Sequence, residues 1–120
     1  MREIKFRAYC KASKGMFPVL SLFLDEAMVQ IDNDKYSVYN INNFELMQFT
    51  GLSDKHGVEI YEGDIVRIGK QIGIICFEHC SFGIKIKESL PHYTNTLYFY
   101  RDTTALEVIG NTHENQELLN

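Results

Sequence analysis

The sequence predicts a mainly β chain in which an N-terminal strand and hairpin region precedes a small barrel over about residues 58–112. Apolar and polar side chains alternate in several short stretches, with the period of two that half-buried strands show. Brief turns rich in glycine, asparagine and aspartate separate these stretches. Short strands joined in this way favour a barrel, because closure removes exposed strand edges.

Length and composition indicate a single domain, residues 1–120. Of the 120 residues, 45% are hydrophobic, and a chain of this size can bury a core without metal or disulfide bonds. We divide it into an N-terminal β segment (residues 1–50), the barrel region (51–112) and a C-terminal tail (113–120).

The N-terminal segment begins with a predicted strand, because every second side chain from Ile4 to Ala8 is apolar. The apolar stretch Phe17–Leu24 is either a buried strand or one turn of helix. Pro18 in this stretch favours a strand edge or a strand start over a central ladder.

A hairpin is predicted next. Ala27–Ile31 and Tyr36–Ile41 flank the polar stretch Asp32–Asp34, whose residues accept the left-handed backbone angles of tight turns. The polar stretch Thr50–Gly57 is bracketed by glycines and reads as a loop.

The barrel region contains five predicted strands separated by turns. They are Ile65–Ile68, Ile72–Phe77, Phe82–Ile86, Leu97–Tyr100 and Leu106–Ile109. A polar loop is predicted over Glu88–Asn95. After Gly110 the tail is predicted to form a short helical turn capped by the side chain of Asn115.

Gly63 and Asp64 are predicted to form the structural turn before the first barrel strand. Glycine adopts a positive φ that other residues resist, and aspartate can hydrogen-bond the backbone beyond it. This Gly-Asp turn, followed by Ile65-Val66, is similar to the first strand of SH3-like barrels. A structural role for both residues is therefore favoured over a role in binding a ligand.

Charge and cysteine content limit the classes of function. The net charge of −4 argues against binding nucleic acid by bulk charge, but a local basic face is compatible with it. The absence of an apolar run of about 18 residues predicts no membrane span, and the charged N-terminus predicts no signal peptide. Three cysteines, an odd number, suit a reducing compartment, so we expect a cytoplasmic protein.

Metal binding and catalysis have weak support. Cys76 and Cys80 form a C-x3-C pair around His79, whereas zinc requires four ligands, and Cys76 lies in an apolar strand. The four histidines, His56, His79, His92 and His113, are scattered among predicted loops. Ser53–His56 places nucleophile and base types in one loop, but side chains so close in sequence rarely have the geometry of a triad, and polar loop composition explains them better. We therefore predict no enzyme, no cofactor and no metal site.

A basic and aromatic face is the remaining candidate for a binding site. If Val66 and Ile68 face inward while Ile65 and Arg67 face outward, the same alternation places other strand residues outside. The candidate binding residues are Arg67, Lys85, Lys87, Tyr98 and Tyr100, with Phe82, Ile84, Ile86, Leu97 and Phe99 inside. Such a face suits stacking on bases or packing on a protein, although a solvated face or a subunit contact gives the same pattern.

Three blocks of sequence, Met1–Ala8, Met47–Ile68 and Leu106–Leu119, together resemble the YopX protein family, which phages and prophages encode. The resemblance implies a phage-derived, mainly β protein with an SH3-like barrel and no assigned activity. Two positions depart from the family pattern. Tyr9-Cys10 stands where the family usually has Trp-Asp, and Gln116 stands where it usually has Pro.

We therefore expect a non-enzymatic protein-interaction module in the bacterial cytoplasm, with an unknown host or phage protein as partner. A homo-oligomer is expected as well, with Leu22 or Phe23 in the contact, because the apolar N-terminal segment needs a packing surface. The alternatives are a nucleic-acid-binding SH3-like module and a small enzyme or metal-binding protein.

Overall fold

The computed structural model describes residues 3–32, 37–78, 80–86, 95–96 and 105–120. Within them the regular elements are strands and two short 3-10 turns, Ile41–Asn43 and Gln116–Leu119. The strands are β1 (Phe6–Cys10), β2 (Gly15–Phe23), β3 (Met28–Ile31), β4 (Tyr39–Asn40), β5 (Phe44–Ser53), β6 (Glu59–Tyr61), β7 (Asp64–Ile68), β8 (Gln71–Glu78), β9 (Ser81–Ile86), β10 (Asn95–Thr96) and β11 (Leu106–Asn111). The prediction of a mainly β chain is therefore confirmed.

The strands form two antiparallel sheets, with the orders β4-β3-β2-β1-β5-β6 and β10-β9-β8-β7-β11. The chain divides into two compact units, Glu3–Gln48 and Phe49–Asn120. Strand β5 contributes to both, since its first half pairs with β1 and its second half pairs with β6. Among the described residues, no helix is long and apolar enough to span a membrane.

The first unit buries one face of its sheet. Ala8, Val29, Ile31 and Phe44 form the buried cluster. Partly buried side chains from the same unit, Cys10, Phe17, Val19, Leu22, Tyr39 and Leu46, pack against it. The predicted first strand is confirmed as β1, and the predicted hairpin is confirmed as the antiparallel pair β3–β4. Of its predicted turn, Asn33 and Asp34 lie outside the described residues.

The apolar stretch Phe17–Leu24 is resolved in favour of a strand, β2, but the position expected for Pro18 is wrong. Pro18 lies in a central strand, between β1 and β3, rather than at an edge. The missing N–H faces β3, and the ladder between β2 and β3 ends at the Val19–Ile31 pair, so Pro18 removes no hydrogen bond from its interior. The carbonyl oxygen of Pro18 still accepts a hydrogen bond, from the Asp32 N–H at 3.0 Å.

The second unit has its own core on one face of the β7–β8–β9 sheet. The buried members are Ile60, Val66, Ile75, Ile84, Ile86 and Leu106. Val66, Ile84 and Ile86 are buried as predicted, and Ile68 and Phe82 pack against them. The predicted strand Leu97–Tyr100 lies outside the described residues.

The predicted closure into an SH3-like barrel is wrong for the part of the chain that the structure describes. The second sheet is open, with β10 at one edge and β11 at the other. Its apolar face is covered by Ile60 of β6 and Leu52 of β5, which join the same core. Because the pair β5–β6 already covers this face, the second sheet buries its apolar side chains without closing into a barrel.

The Gly63 turn is confirmed. Gly63 has a φ of +86°, its N–H donates to the Ile75 carbonyl at 2.7 Å, and its own carbonyl accepts from Thr112 N–H at 2.9 Å. The buried carboxylate of Asp64 accepts from the Tyr61 N–H at 2.8 Å. The register places Ile65 on the same face as Arg67 and Lys85, as predicted, but the exposure expected there is wrong, because Ile65 is fully buried while Arg67 is exposed.

The C-terminal tail forms the predicted helical turn but without the predicted cap. The side chain of Asn115 makes no capping hydrogen bond to the 3-10 turn that follows it. Instead its side-chain oxygen accepts from the N–H of Asn111 at 3.1 Å. Asn111 is itself buried, and its side-chain oxygen accepts from the N–H groups of His113 and Glu114. Asn115 therefore fastens the tail to β11 rather than starting a helix.

Candidate functional site

An open cleft of about 640 Å³ lies within the first unit. Its lining combines apolar side chains of the unit's core face with the two turns Lys11–Ser13 and Asn42–Asn43. The full lining is Cys10, Lys11, Ala12, Ser13, Phe17, Ile31, Tyr39, Asn42, Asn43 and Phe44. This volume and this mainly apolar lining with a few polar groups are typical of sites that bind small molecules or single side chains.

The lining aromatic residues are arranged by the cross-strand register. Phe44 of β5 lies opposite Cys10 of β1, and Tyr39 of β4 lies opposite Val29 of β3. The rings of Tyr39 and Phe44 meet edge to face, with centroids 5.9 Å apart. This is a favoured aromatic geometry, so the pair forms a firm apolar wall.

Lys11 connects the two turns at the rim of the cleft. Its backbone N–H donates to the Asn43 carbonyl at 3.2 Å, and its ammonium donates to the Asn42 carbonyl at 3.3 Å. The same ammonium lies 3.3 Å from the carboxylate of Glu45. The side chain of Lys11 is half exposed, so its charge also faces solvent at the cleft mouth.

Cys10 gives the cleft the one thiol among its lining residues. Hydrogen bonds from the Ser13 hydroxyl and then from the Ser13 backbone lower the pKa of the Cys10 thiol, although burial opposes them. The thiol is half-buried and makes no disulfide. Cys10 stands at one of the positions where the sequence departs from the YopX pattern, but nothing in the sequence indicated that it lines a cleft.

The predicted basic face is assembled only in part. Arg67 lies opposite Ile72 and Lys85 lies opposite Ile74, so both cations project from the same face of the second sheet. This agrees with the outward direction predicted for them. Lys87, Tyr98 and Tyr100 lie outside the described residues.

Acidic neighbours neutralise the described part of this face. The Lys85 ammonium contacts Glu78 at 2.8 Å, and this hydrogen bond raises the pKa of Lys85. Glu107 lies directly opposite Arg67 and contacts Lys55 at 3.1 Å. The Lys55 hydrogen bond, with a smaller contribution from Arg67, lowers the pKa of Glu107. A face of mixed charge releases few counterions, which disfavours strong binding to phosphate groups.

The loop Ser53–His56 uses its acidic residue for structure. The buried carboxylate of Asp54 accepts from the N–H groups of His56, Val58 and Val108 at 2.8–2.9 Å. Burial alone would raise the pKa of Asp54, but these three donors, of which Val108 is the strongest, lower it on balance. Asp54 thereby joins the loop to β11. Its role as a structural residue was missed, because its sequence context resembles any polar loop.

The cysteine and histidine candidates do not converge in the described residues. Cys76 is half-buried in β8, and its thiol lies 3.7 Å from the Gly83 carbonyl. Cys80 is exposed, His56 is exposed, and His79 and His92 lie outside the described residues. A search of the described residues finds no group of three or more His, Cys, Asp or Glu side chains placed to hold a metal ion.

A second feature of the first unit is the exposed apolar turn between β2 and β3. We call Phe23–Glu26 the apolar turn, because Leu24 is 78% exposed and Phe23 is 40% exposed. Of the two residues predicted for a subunit contact, Leu22 is partly buried against the core of the unit, and Phe23 is the more exposed.

Comparison with known proteins gives a family and a solved relative. A family model described as "YopX protein" matches residues 5–120. The crystal structure of protein EF1440 from Enterococcus faecalis is 30% identical in sequence, covers 100% of both chains and superposes with a TM-score of 0.70. A search of curated proteins found no match. These similarities extend over the whole chain and carry no description of an activity.

Proposed function

This chain belongs to the YopX protein family, and on that premise we propose that it is a non-enzymatic protein-interaction module acting through the cleft of its first unit. The observation that carries the proposal is the chemistry of the cleft. Its floor is aliphatic and aromatic, through Ile31, Phe17 and Phe44, and its rim offers amides and one ammonium. An apolar side chain of a partner protein fits this floor, and the flanking backbone of the partner can hydrogen-bond the rim.

The alternative of a nucleic-acid-binding module is less favoured. It relies on Arg67 and Lys85, whose neighbours Glu107 and Glu78 supply compensating negative charge. Lys11 at the cleft rim is likewise paired with Glu45, but the proposal for the cleft rests on its apolar floor and not on charge. In keeping with the family resemblance, we place the interaction in the cytoplasm of a phage-carrying bacterium.

A pull-down from lysogenic host cells tests this function. We expect the wild-type protein and Arg67→Glu to retain the same partner, while Ala12→Trp, which adds a bulky side chain at the exposed rim of the cleft, loses it. Urea melts of each variant establish that folding is unchanged. If Ala12→Trp retains the partner and Arg67→Glu loses it, the result would instead favour binding through the basic face and the alternative of a nucleic-acid-binding module.

A further inference from the structure

We propose that the partner segment that occupies the cleft is proline-rich and binds in the polyproline II conformation. The inference rests on the proposed function, in which the cleft accepts part of a partner protein, and it names the chemistry of that part. The accessible rings of the cleft, its charge, the donors of its rim and its size all favour this ligand class.

Aromatic rings form most of the accessible apolar surface of the cleft. Ile31 and Phe44 belong to the buried cluster of the first unit and are only 2% and 7% exposed, so neighbouring side chains already cover them. Phe17 and Tyr39 are half-buried, so an occupant contacts chiefly their two rings. The edge-to-face contact with Phe44 holds the Tyr39 ring in place. Proline suits such a surface, because the C–H groups beside its amide nitrogen carry partial positive charge and pack on the negative face of an aromatic ring.

The charge of the cleft favours a neutral occupant. Lys11 is the charged residue of the lining, and its ammonium lies 3.3 Å from the carboxylate of Glu45. The two charges compensate each other, so the rim gives little attraction to an acidic or a basic segment. A proline-rich segment needs no charged partner, because its side chains are neutral and apolar.

The rim of the cleft offers hydrogen-bond donors. Lys11 already donates to the backbone carbonyls of Asn42 and Asn43, and the exposed side chains of both asparagines add NH2 groups to the rim. A polyproline II segment has no internal hydrogen bonds, so its carbonyl oxygens can accept from these groups. An α-helix satisfies its own carbonyl groups. An added strand requires a free edge, and the edge strand beside the cleft, β4, has two residues, which is too short for a ladder.

The cleft also has the size of one turn of polyproline II. A volume of about 640 Å³ corresponds to an edge of roughly 9 Å, and three residues at about 3.1 Å each span the same length. Proline-rich chains adopt this conformation before they bind, so binding costs little conformational entropy. Grooves lined by aromatic side chains are the usual receptors of such segments.

Two mirror-image peptides test this ligand class, acetyl-hexa-L-proline amide and acetyl-hexa-D-proline amide. They have the same composition and hydrophobicity, but the L-peptide alone forms the left-handed helix. In a nuclear magnetic resonance titration, the L-peptide is expected to shift the backbone signals of Asn42 and Asn43, which line the cleft. Its dissociation constant should be at least about 10-fold lower than that of the D-peptide. Equal binding of the two peptides, or no binding of the L-peptide at millimolar concentration, would overturn the inference.

Variants of the cleft separate its aromatic ring from its rim donor. Tyr39→Phe keeps the ring and should bind the L-peptide like the wild type, whereas Tyr39→Leu should raise the dissociation constant about 5-fold. Asn42→Asp keeps the shape of an exposed side chain but exchanges its NH2 donor for an acceptor, and should weaken binding to a similar extent. Urea melts establish that each variant is folded. If Tyr39→Leu and Asn42→Asp both bind as tightly as the wild type, neither group recognises the peptide and the inference fails.

Cys10 reports directly on occupancy of the cleft. The L-peptide should slow alkylation of Cys10 by a maleimide and leave the rate at the exposed Cys80, in the second unit, unchanged. The L-peptide, but not the D-peptide, should also displace the host partner that the wild type captures.

The same measurements distinguish this inference from the proposed function. If Ala12→Trp loses the host partner and the L-peptide does not displace that partner from the wild type, the ligand class is overturned while the proposed function stands. If Ala12→Trp retains the host partner although the L-peptide protects Cys10 in the wild type, the proposed function is overturned instead.

Discussion

At the scale of single residues, the polar side chains of the stretch Met47–Ile68 act mainly as connectors of turns and strands. The Thr50 hydroxyl donates to the Ile60 carbonyl at 2.7 Å and accepts from the Leu52 N–H. Asp54 and Asp64 likewise bond backbone N–H groups. Buried polar groups are tolerated only when they are hydrogen-bonded, and each of these is. These hydrogen bonds of the most distinctive sequence motif thus stabilise the fold of the second unit.

Asp54→Asn tests this role. The amide cannot accept all three N–H bonds as a carboxylate does, so we expect a loss of about 2 kcal/mol in the free energy of unfolding at neutral pH. Because the folded-state pKa of Asp54 is lowered, its contribution is complete above the unfolded pKa of about 4 and disappears as pH falls through the folded value. Urea melts from pH 7 to pH 3 should show the wild type approaching the variant. A difference in the free energy of unfolding between the wild type and Asp54→Asn that does not change with pH would contradict the structural role of the Asp54 carboxylate.

Gly63→Val should destabilise the protein by at least about 1 kcal/mol, because a β-branched residue is strained at a φ of +86°. The hydrogen bonds of the Gly63 N–H and carbonyl also prevent the backbone from relaxing. Gly57→Val should cost less, since Gly57 has a similar φ but nothing within 4 Å of the added Cβ. The urea unfolding midpoints of the two variants measure this difference in stability. An unchanged midpoint for Gly63→Val would show that the turn does not need glycine.

At the scale of secondary-structure elements, the second sheet is held by a close approach between β8 and β9. Gly73 of β8 lies opposite Ile86 on β9, and Ile84 of β9 is fully buried in the same core. A Cβ at Gly73 would lie 2.6 Å from the Cγ2 atom of Ile84 and 3.3 Å from the Lys85 carbonyl oxygen. Glycine is therefore required at this strand position by packing rather than by backbone conformation.

Gly73→Ala should lower the free energy of unfolding by about 1–3 kcal/mol, because overpacking moves Ile84 out of a favoured rotamer. Gln71→Ala in the same strand is the control, and its exposed position predicts a change within about 0.5 kcal/mol. Thermal or urea unfolding measures both. Equal effects of the two substitutions would show that the sheet has room at Gly73.

Comparison of the predicted strands with the observed ones shows how much of the secondary structure local alternation predicts. Alternation located β7, β8, β9 and β11 correctly and identified Val66 and Ile84 as core residues. It missed β5 (Phe44–Ser53) altogether, and the loop predicted over Thr50–Gly57 is wrong for Thr50–Ser53, because a Thr-Gly-Leu-Ser sequence has the composition of a loop. It also misassigned Ile65, since a period of two exposes one face of a strand only where nothing covers that face.

At the scale of the whole molecule, the far-ultraviolet circular dichroism spectrum should be dominated by strand, because the regular elements of the described residues are strands and 3-10 turns. A helix content above about a third of residues, the ordinary level of globular proteins, would contradict the fold.

The amino-acid sequence by itself determined the mainly β class, the Gly63 turn and the membership in the YopX family. These depend on local alternation, on the conformational freedom of one glycine and on contiguous motifs, all of which can be read along the chain. Only the tertiary structure decided that the second sheet stays open, that Glu107 and Glu78 neutralise the basic face, and that a cleft exists. The cleft joins Cys10, Phe17, Ile31 and Phe44 from four strands. Side chains this far apart in sequence meet only through strand register and sheet order, which no local pattern encodes.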